Sequence, residues 1–197
     1  MTVQLLPLGK PVFEQCCASL CVKPIVLDLE TDVNQVVQQD VMTSSKYFSD
    51  DKGAFSEMNR IVVGLETAGF QILRKKIESE PGHVRAPQEV GQVMPEHCYF
   101  ESHVAFLIQE SQREILKEIA TCNHAHISRN PFKKTDDGMV VMVTLRDYQS
   151  PFCLFKKQVD ALLSDAATSG FVPHKKIEVE FAVYDSNTMH DASWINN

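Results

Sequence analysis

The sequence predicts an α+β fold made by tandem duplication of one β-α-β-β-α-β unit. Three observations carry that reading. The hexapeptide Lys-Lys-Ile-Glu-Ser-Glu at 75–80 returns as Lys-Lys-Ile-Glu-Val-Glu at 175–180. Both copies follow a Gly-Phe pair, Gly69-Phe70 and Gly170-Phe171, and each pair closes an apolar helical pattern. The stretch 81–95, with three prolines, two glycines and no sustained periodicity, divides the 197 residues almost in half.

The elements follow in order. Residues 3–8 are a short apolar run with strand character. Pro11 suits the first turn of a helix reaching about Leu20. In 24–30, Ile25, Leu27 and Leu29 alternate with Asp28 and Glu30, the pattern of a half-buried strand. A polar turn over 31–38 leads to a weaker strand over 40–48. From Gly53 to Ala68, Phe55, Met58, Ile61, Val62 and Leu65 recur at helical spacing, and Gly69 supplies the left-handed end. Residues 72–80 are the fourth strand, and 81–95 read as a linker or mobile loop.

The second half repeats the order. A strand over 97–107 precedes a helix over 110–120, with Ile115, Leu116 and Ile119 apolar. A strand over 124–128, a polar turn through Lys133, Lys134 and 136–138, and a strand over 139–146 come next. A helix beginning near Pro151 carries Phe152, Phe155, Val159, Leu162 and Leu163 and ends at Gly170. A strand over 174–184 completes the unit, and 186–197 form a polar tail whose Trp194 is expected to pack back. The order is the split βαβ, or ferredoxin-like, one. The expected organisation is two ferredoxin-like units, 1–80 and 96–185, each an antiparallel sheet with its helices on one face.

Composition narrows function. A formal net charge of −7 argues against a general binder of nucleic acid or anionic membranes. No run approaches the ~20 apolar residues of a membrane span, and the start of the chain lacks a secretory pattern. The six cysteines (Cys16, Cys17, Cys21, Cys98, Cys122, Cys153) form no Cys-x-x-Cys pair. Reduced, core-packed thiols in a cytoplasmic protein are expected. There is no Gly-rich phosphate loop, Gly-x-Ser-x-Gly elbow or His-Glu-x-x-His helix, so serine hydrolase, P-loop and thermolysin-type chemistries lack support.

Strand alternation places the candidate site. Ile177, Val179, Phe181 and Val183 should face the helices, which sends Lys176, Glu178, Glu180 and Tyr184 to the other side. By the same rule Tyr99, Glu101 and His103 share that face, as do His124, His126 and Ser128, and Met142, Thr144 and Arg146. A sheet ordered last strand, first, third, second would gather three histidines, three glutamates, an arginine and a lysine. Burying so many ionisable groups is costly unless they are paired or bind metal, so the face should be solvated or line a wet cleft.

Glu101, His103 and His126 form a mixed nitrogen and oxygen donor set suited to zinc or another divalent metal. Without metal, His103, His126 and Glu178 are the candidate acid–base groups, since a histidine beside glutamates titrates higher. Arg146, Lys176, Glu180 and Arg129 are the candidate ligand-binding residues, with Arg146 as an anion anchor. The expected function is a small enzyme or ligand-binding protein for a small anionic molecule, phosphorylated ones included. The alternative is a non-catalytic protein–protein interaction module with a solvated charged sheet face. Convergence of the polar groups within a few ångström favours the first; dispersal over a flat sheet favours the second.

Overall fold

The computed structural model describes residues 1–5, 10–30, 37–135 and 138–188. Its elements are β1 (Thr2–Leu5), α1 (Lys10–Leu20), β2 (Lys23–Glu30), β3 (Val37–Ser44), α2 (Asp51–Thr67) and β4 (Ile72–Ser79). They continue with β5 (Tyr99–Ile108), α3 (Arg113–Cys122), β6 (Ala125–Thr135), β7 (Gly138–Asp147), α4 (Phe152–Thr168) and β8 (Glu178–Asp185). The end of the expected first strand, residues 31–36 and 136–137, and the tail from residue 189 on, with Trp194, lie outside the described residues.

The two Gly-Phe signals do the same work twice. Gly69 and Gly170 adopt φ of 88° and 83° beyond the ends of α2 and α4. The next amides reach back to helix carbonyls, Phe70 N to Leu65 O at 3.0 Å and Phe171 N to Ala166 O at 2.9 Å. Both phenylalanines are buried. At its other end α2 starts earlier than its apolar pattern suggests, because Asp50 accepts a hydrogen bond from the Gly53 amide at 2.9 Å and caps it.

All eight strands join one closed antiparallel barrel in the order β1-β3-β2-β6-β7-β5-β8-β4, with β4 returning to β1. Within it the halves run β4-β1-β3-β2 and β8-β5-β7-β6, so the expected neighbours within a unit are observed. The expectation of separate sheets, each with an open face, is corrected: β2 pairs with β6 and β4 with β8, which closes both halves into one sheet. A sheet that strongly twists and has complementary edges removes its exposed backbone groups by closing.

The helices pack outside the barrel, α1 and α2 over strands of the first half and α3 and α4 over those of the second. Two apolar cores lie between helices and sheet. One holds Val3, Phe13, Cys17, Ile61, Leu65 and Phe70. The other is built on Phe100, Phe106, Leu116, Phe155, Leu162 and Phe181, and it also takes in Met58 and Ile77 from the first half. Segment 81–95, expected as a linker, has neither helix nor strand and is docked. Pro87 and Gln88 carbonyls accept from the first amides of α4, at 2.8 and 3.1 Å, and His83 meets Asp51 at 2.8 Å.

Two strand boundaries and a bulge in the second half depart from the sequence reading. β6 runs on to Thr135, through Pro131, because its pairing with β7 breaks register between Arg129 and Lys134 and so makes room for a residue without an N–H. β8 starts at Glu178 instead of 174, and Lys175, Lys176 and Ile177 precede it. At the far end of β8 a bulge intervenes: Ile77 pairs with Tyr184 and Glu78 with Ala182, which leaves Val183 extra. The bulge reverses the alternation. Tyr184 turns to the helix side, 5.2 Å from the Phe55 ring, and Asp185 turns into the barrel.

Candidate functional site

The site lies inside the barrel where β4, β8, β5 and β7 run side by side. Adjacent strands align its rows. Glu101 stands opposite Glu180 on β8 and opposite Arg146 on β7, and Lys76 on β4 stands opposite Asp185. These residues point away from the helices because Phe100, Phe181, Val143 and Leu145 take the apolar side.

Glu101 is the centre of the network and is 1% exposed. Its Oε2 accepts from the Lys76 ammonium and its Oε1 from the Arg146 Nε. Lys76 also binds Glu78 Oε1 at 2.6 Å. Both cations lie near the Tyr99 ring, Lys76 Nζ 5.4 Å and Arg146 Cζ 5.7 Å from its centroid. Burial acts to raise the Glu101 carboxyl, but Lys76, His103 and Arg146 outweigh it and hold the group well below the usual range. Burial likewise acts to lower Lys76, and the carboxylates of Glu101 and Glu78 override it, so its ammonium persists. Removing either partner would leave the other as a desolvated charge.

A second buried network closes one end of the row. Arg74 Nε donates to Asp185 Oδ1 at 3.0 Å and its Nη2 donates to Oδ2 at 2.6 Å. The Tyr99 hydroxyl donates to the same Oδ2 at 2.8 Å. Asp185 is fully buried, yet these donors and the Asn187 amide keep its carboxyl low against the cost of burial.

His103 and Glu180 complete the group. His103 Nδ1 lies 3.0 Å from Thr144 Oγ1, and Nε2 lies 3.5 Å from Glu101 Oε2. Burial works to lower the imidazole, and the Glu101 carboxylate reverses that and raises it. Glu180 has a ligand atom within 4.8 Å of those of Glu101 and His103. Unlike its neighbours it has no hydrogen bond or ion pair among the described residues. Burial, then the nearby Glu78 carboxylate, push its carboxyl up to about 7.

Of the residues singled out in the sequence, Glu101, His103, Arg146 and Glu180 come together here. Glu178 stands opposite His103 in register but is exposed at the start of β8. Lys176 is exposed and precedes that strand. His126 is half-buried on β6, in the same row as Thr144 and therefore two strands from His103. The donor group that converges is Glu101, His103 and Glu180, with Glu180 where the sequence reading had His126. His124 sits outside the strand, exposed, at φ 55° after α3. The side chains of Arg129, Lys133 and Lys134 lie outside what the structure describes.

Sequence reasoning did not assign Lys76, Glu78, Arg74 or Asp185 to the site. The repeat carried the signal for the first two. Lys76 and Glu78 are the counterparts of Lys176 and Glu178, and the first-half copies are the ones that enter the barrel. Asp185 could not be placed by alternation, since the bulge at Val183 sits just before it.

No protein-family model and no curated protein matches the chain. Among solved structures, it is similar to one titled as a crystal structure of an unknown protein from Galdieria sulphuraria. The two are 19% identical over 92% of this chain and 97% of that one, with a TM-score of 0.26. Among the described residues no helix is long and apolar enough to cross a membrane.

Proposed function

We propose that the barrel interior binds a small polar molecule and that Glu180 exchanges a proton with it, which would make the protein a small acid–base enzyme. One observation carries this reading. Every charged neighbour of Glu180 in the converging group is bound to another member, and among the described residues of that group Glu180 is the one left with an unengaged carboxyl, beside His103. A carboxyl raised to about 7 divides between acid and base near neutral pH, the condition for efficient proton transfer. His103 and Thr144 would fix the neighbouring geometry. Glu101, Lys76 and Arg146 would supply a rigid charged wall.

The reading departs from an anion site. Arg146 and Lys76 are both engaged by Glu101, so an anion seated there would have to displace a buried carboxylate. Convergence inside a closed barrel also favours a small-molecule site over an interaction module working through a flat sheet face. In architecture, we propose that the two halves are two ferredoxin-like units. The repeated element order and the matching strand orders β4-β1-β3-β2 and β8-β5-β7-β6 support that origin.

A divalent metal is the second reading, since Glu101, His103 and Glu180 offer donor atoms within 4.8 Å of one another. Two resident cations on Glu101 oppose it, because an entering metal would compete with both. The test is carbon-detected NMR titration of the Glu180 carboxyl, with Glu180→Gln to assign it. A screen of small polar metabolites against both proteins at pH 6 and 8 runs beside it. A midpoint near neutrality, with pH-dependent ligand binding lost in Glu180→Gln, supports the proposal. An ordinary carboxylate midpoint sinks it. Near-stoichiometric zinc or manganese in untagged protein, lost in His103→Ala, would move the assignment to metal-assisted hydrolysis.

A further inference from the structure

Glu180 and Asp185 both face the barrel interior, Glu180 beside Glu101 and His103, and Asp185 against Arg74 and Tyr99. Alternation forbids this on a regular strand, where residues an odd number of positions apart point to opposite faces. The bulge at Val183 supplies the extra residue that makes it possible. Were β8 regular from Glu180 onward, Tyr184 would enter the barrel and Asp185 would leave it. Arg74 and Tyr99 would then lose the carboxylate they share.

Two side chains hold the carbonyl of the bulged residue. The Cys98 thiol donates to Val183 O at 3.2 Å, and Arg85 Nη1 donates to the same oxygen at 3.4 Å. Arg85 Nη2 also donates to Cys98 Sγ at 3.4 Å, which leaves the thiol proton for the carbonyl. Neither side chain belongs to β8 or to β4. Cys98 immediately precedes β5, and Arg85 comes from the segment between the halves. That segment is anchored on both sides of Arg85. His83 Nε2 lies 2.8 Å from Oδ1 of Asp51, in the first turn of α2, and the His83 ring stacks on Phe181 with centroids 5.8 Å apart. Ala86 is buried in the larger core, and Arg85 Nη1 lies 3.6 Å from Asp51 Oδ2.

We infer that Arg85 and Cys98 are positioning residues for the interior site: by donating together to Val183 O they hold the bulge, and with it the register that turns Glu180 and Asp185 into the barrel at once. The stretch that separates the halves in sequence thus acts as a register lock on the last strand, tied to α2 through Asp51. Glu180 need not exchange protons for the lock to operate.

The experiment is NMR on the full chain as wild type, Arg85→Ala, Cys98→Ala, Cys98→Ser and the Arg85→Ala/Cys98→Ala double variant. Two readouts report the register. One is the contact of the Tyr184 ring with Phe55, whose centroids lie 5.2 Å apart; the other is exchange of the Ser186 amide, which donates to Lys75 O at 3.0 Å. The double variant is expected to lose the ring contact and to exchange at Ser186 at least about tenfold faster, while the β5–β7 amides keep their wild-type rates. Cys98→Ser retains a donor and should keep the register that Cys98→Ala loosens. A merely structural role would lower thermal stability and speed exchange across the whole sheet alike, with the ring contact kept. That outcome, or a folded double variant that matches wild type at both readouts, overturns the inference. Should the double variant not fold, Arg85→Ala, at a side chain 38% exposed, decides: unchanged readouts there overturn it as well.

Discussion

Glu180 and Asp185 lie five positions apart on one strand, and their environments push them in opposite directions. Glu180 is held above its ordinary value of 4.5, at about 7, so the native state keeps a proton that the unfolded chain gives up between those values. Its contribution to stability is therefore full below about pH 4.5 and is lost as pH rises through about 7. Glu180→Gln, which stays neutral, should be more stable than wild type at pH 8, by about 1–2 kcal/mol, since solvent screening of a partly exposed carboxyl cuts the full effect of the raised value. The gain should fade on acidification; urea unfolding at pH 4, 6 and 8 measures it, and a gain independent of pH would contradict the raised carboxyl. Asp185 is held low, so its contribution is present above the ordinary carboxylate range and lost as pH falls through the depressed value. Asp185→Asn removes the charge facing Arg74 inside the barrel and should cost ~3–5 kcal/mol at pH 7. A loss below about 1 kcal/mol in the same urea series would mean that the network is solvated rather than buried.

At the scale of elements, what could be read from the sequence was whatever depends on local periodicity. Apart from β6, which runs seven residues past its expected end, the helices and strands appear within a few residues of their patterns, and Glu101, His103 and Arg146 fall on the expected face because β5 and β7 alternate without interruption. The failures come from interruptions that no periodicity reveals. Val183 bulges, so Tyr184 and Asp185 exchange sides. Pro173 and the residues after it make only an isolated bridge to Phe106, which keeps Lys176 out of the strand that its first-half counterpart occupies. The start of β7 gives a testable case. Gly138 has φ 142°, and a Cβ there would lie 2.5 Å from the backbone oxygen of Ile108. That contact is with main chain on a paired strand and cannot swing aside. Gly138→Ala should cost more than about 1 kcal/mol in thermal or denaturant unfolding. Gly69→Ala, at φ 88° in open space, should cost about that much from conformation alone. Equal losses at the two sites would show that the close approach at Ile108 is relieved by a small backbone shift.

For the whole molecule, the repeated hexapeptide accompanies a recurring element order but carries no sign that all eight strands close into one barrel. The information that closes the barrel is long-range: Arg74 of the first half meets Asp185 of the second, Lys76 meets Glu101, and Phe55 packs on Tyr184. No motif within either half records these pairs. The two ion pairs matter because each buries charges that would be stranded without their partners. Taken alone, residues 96–197 would keep Glu101 beside Arg146 but lose Lys76, and would keep Asp185 beside Tyr99 but lose Arg74. The fragment would also expose β6 and β8 as sheet edges carrying unpaired backbone groups. Desolvated carboxylates and open edges each favour association or unfolding over a stable monomer. The expected outcome is that fragment 96–197, purified alone, shows no native-like near-ultraviolet circular dichroism or elutes as an oligomer, and that mixing it with fragment 1–95 restores a one-to-one complex with the spectrum of the intact chain. A monomeric fragment that unfolds cooperatively by itself would mean that the β4–β8 seam is a contact between finished domains. In that case Lys76 and Glu78 would be neighbours of the site rather than part of what assembles it.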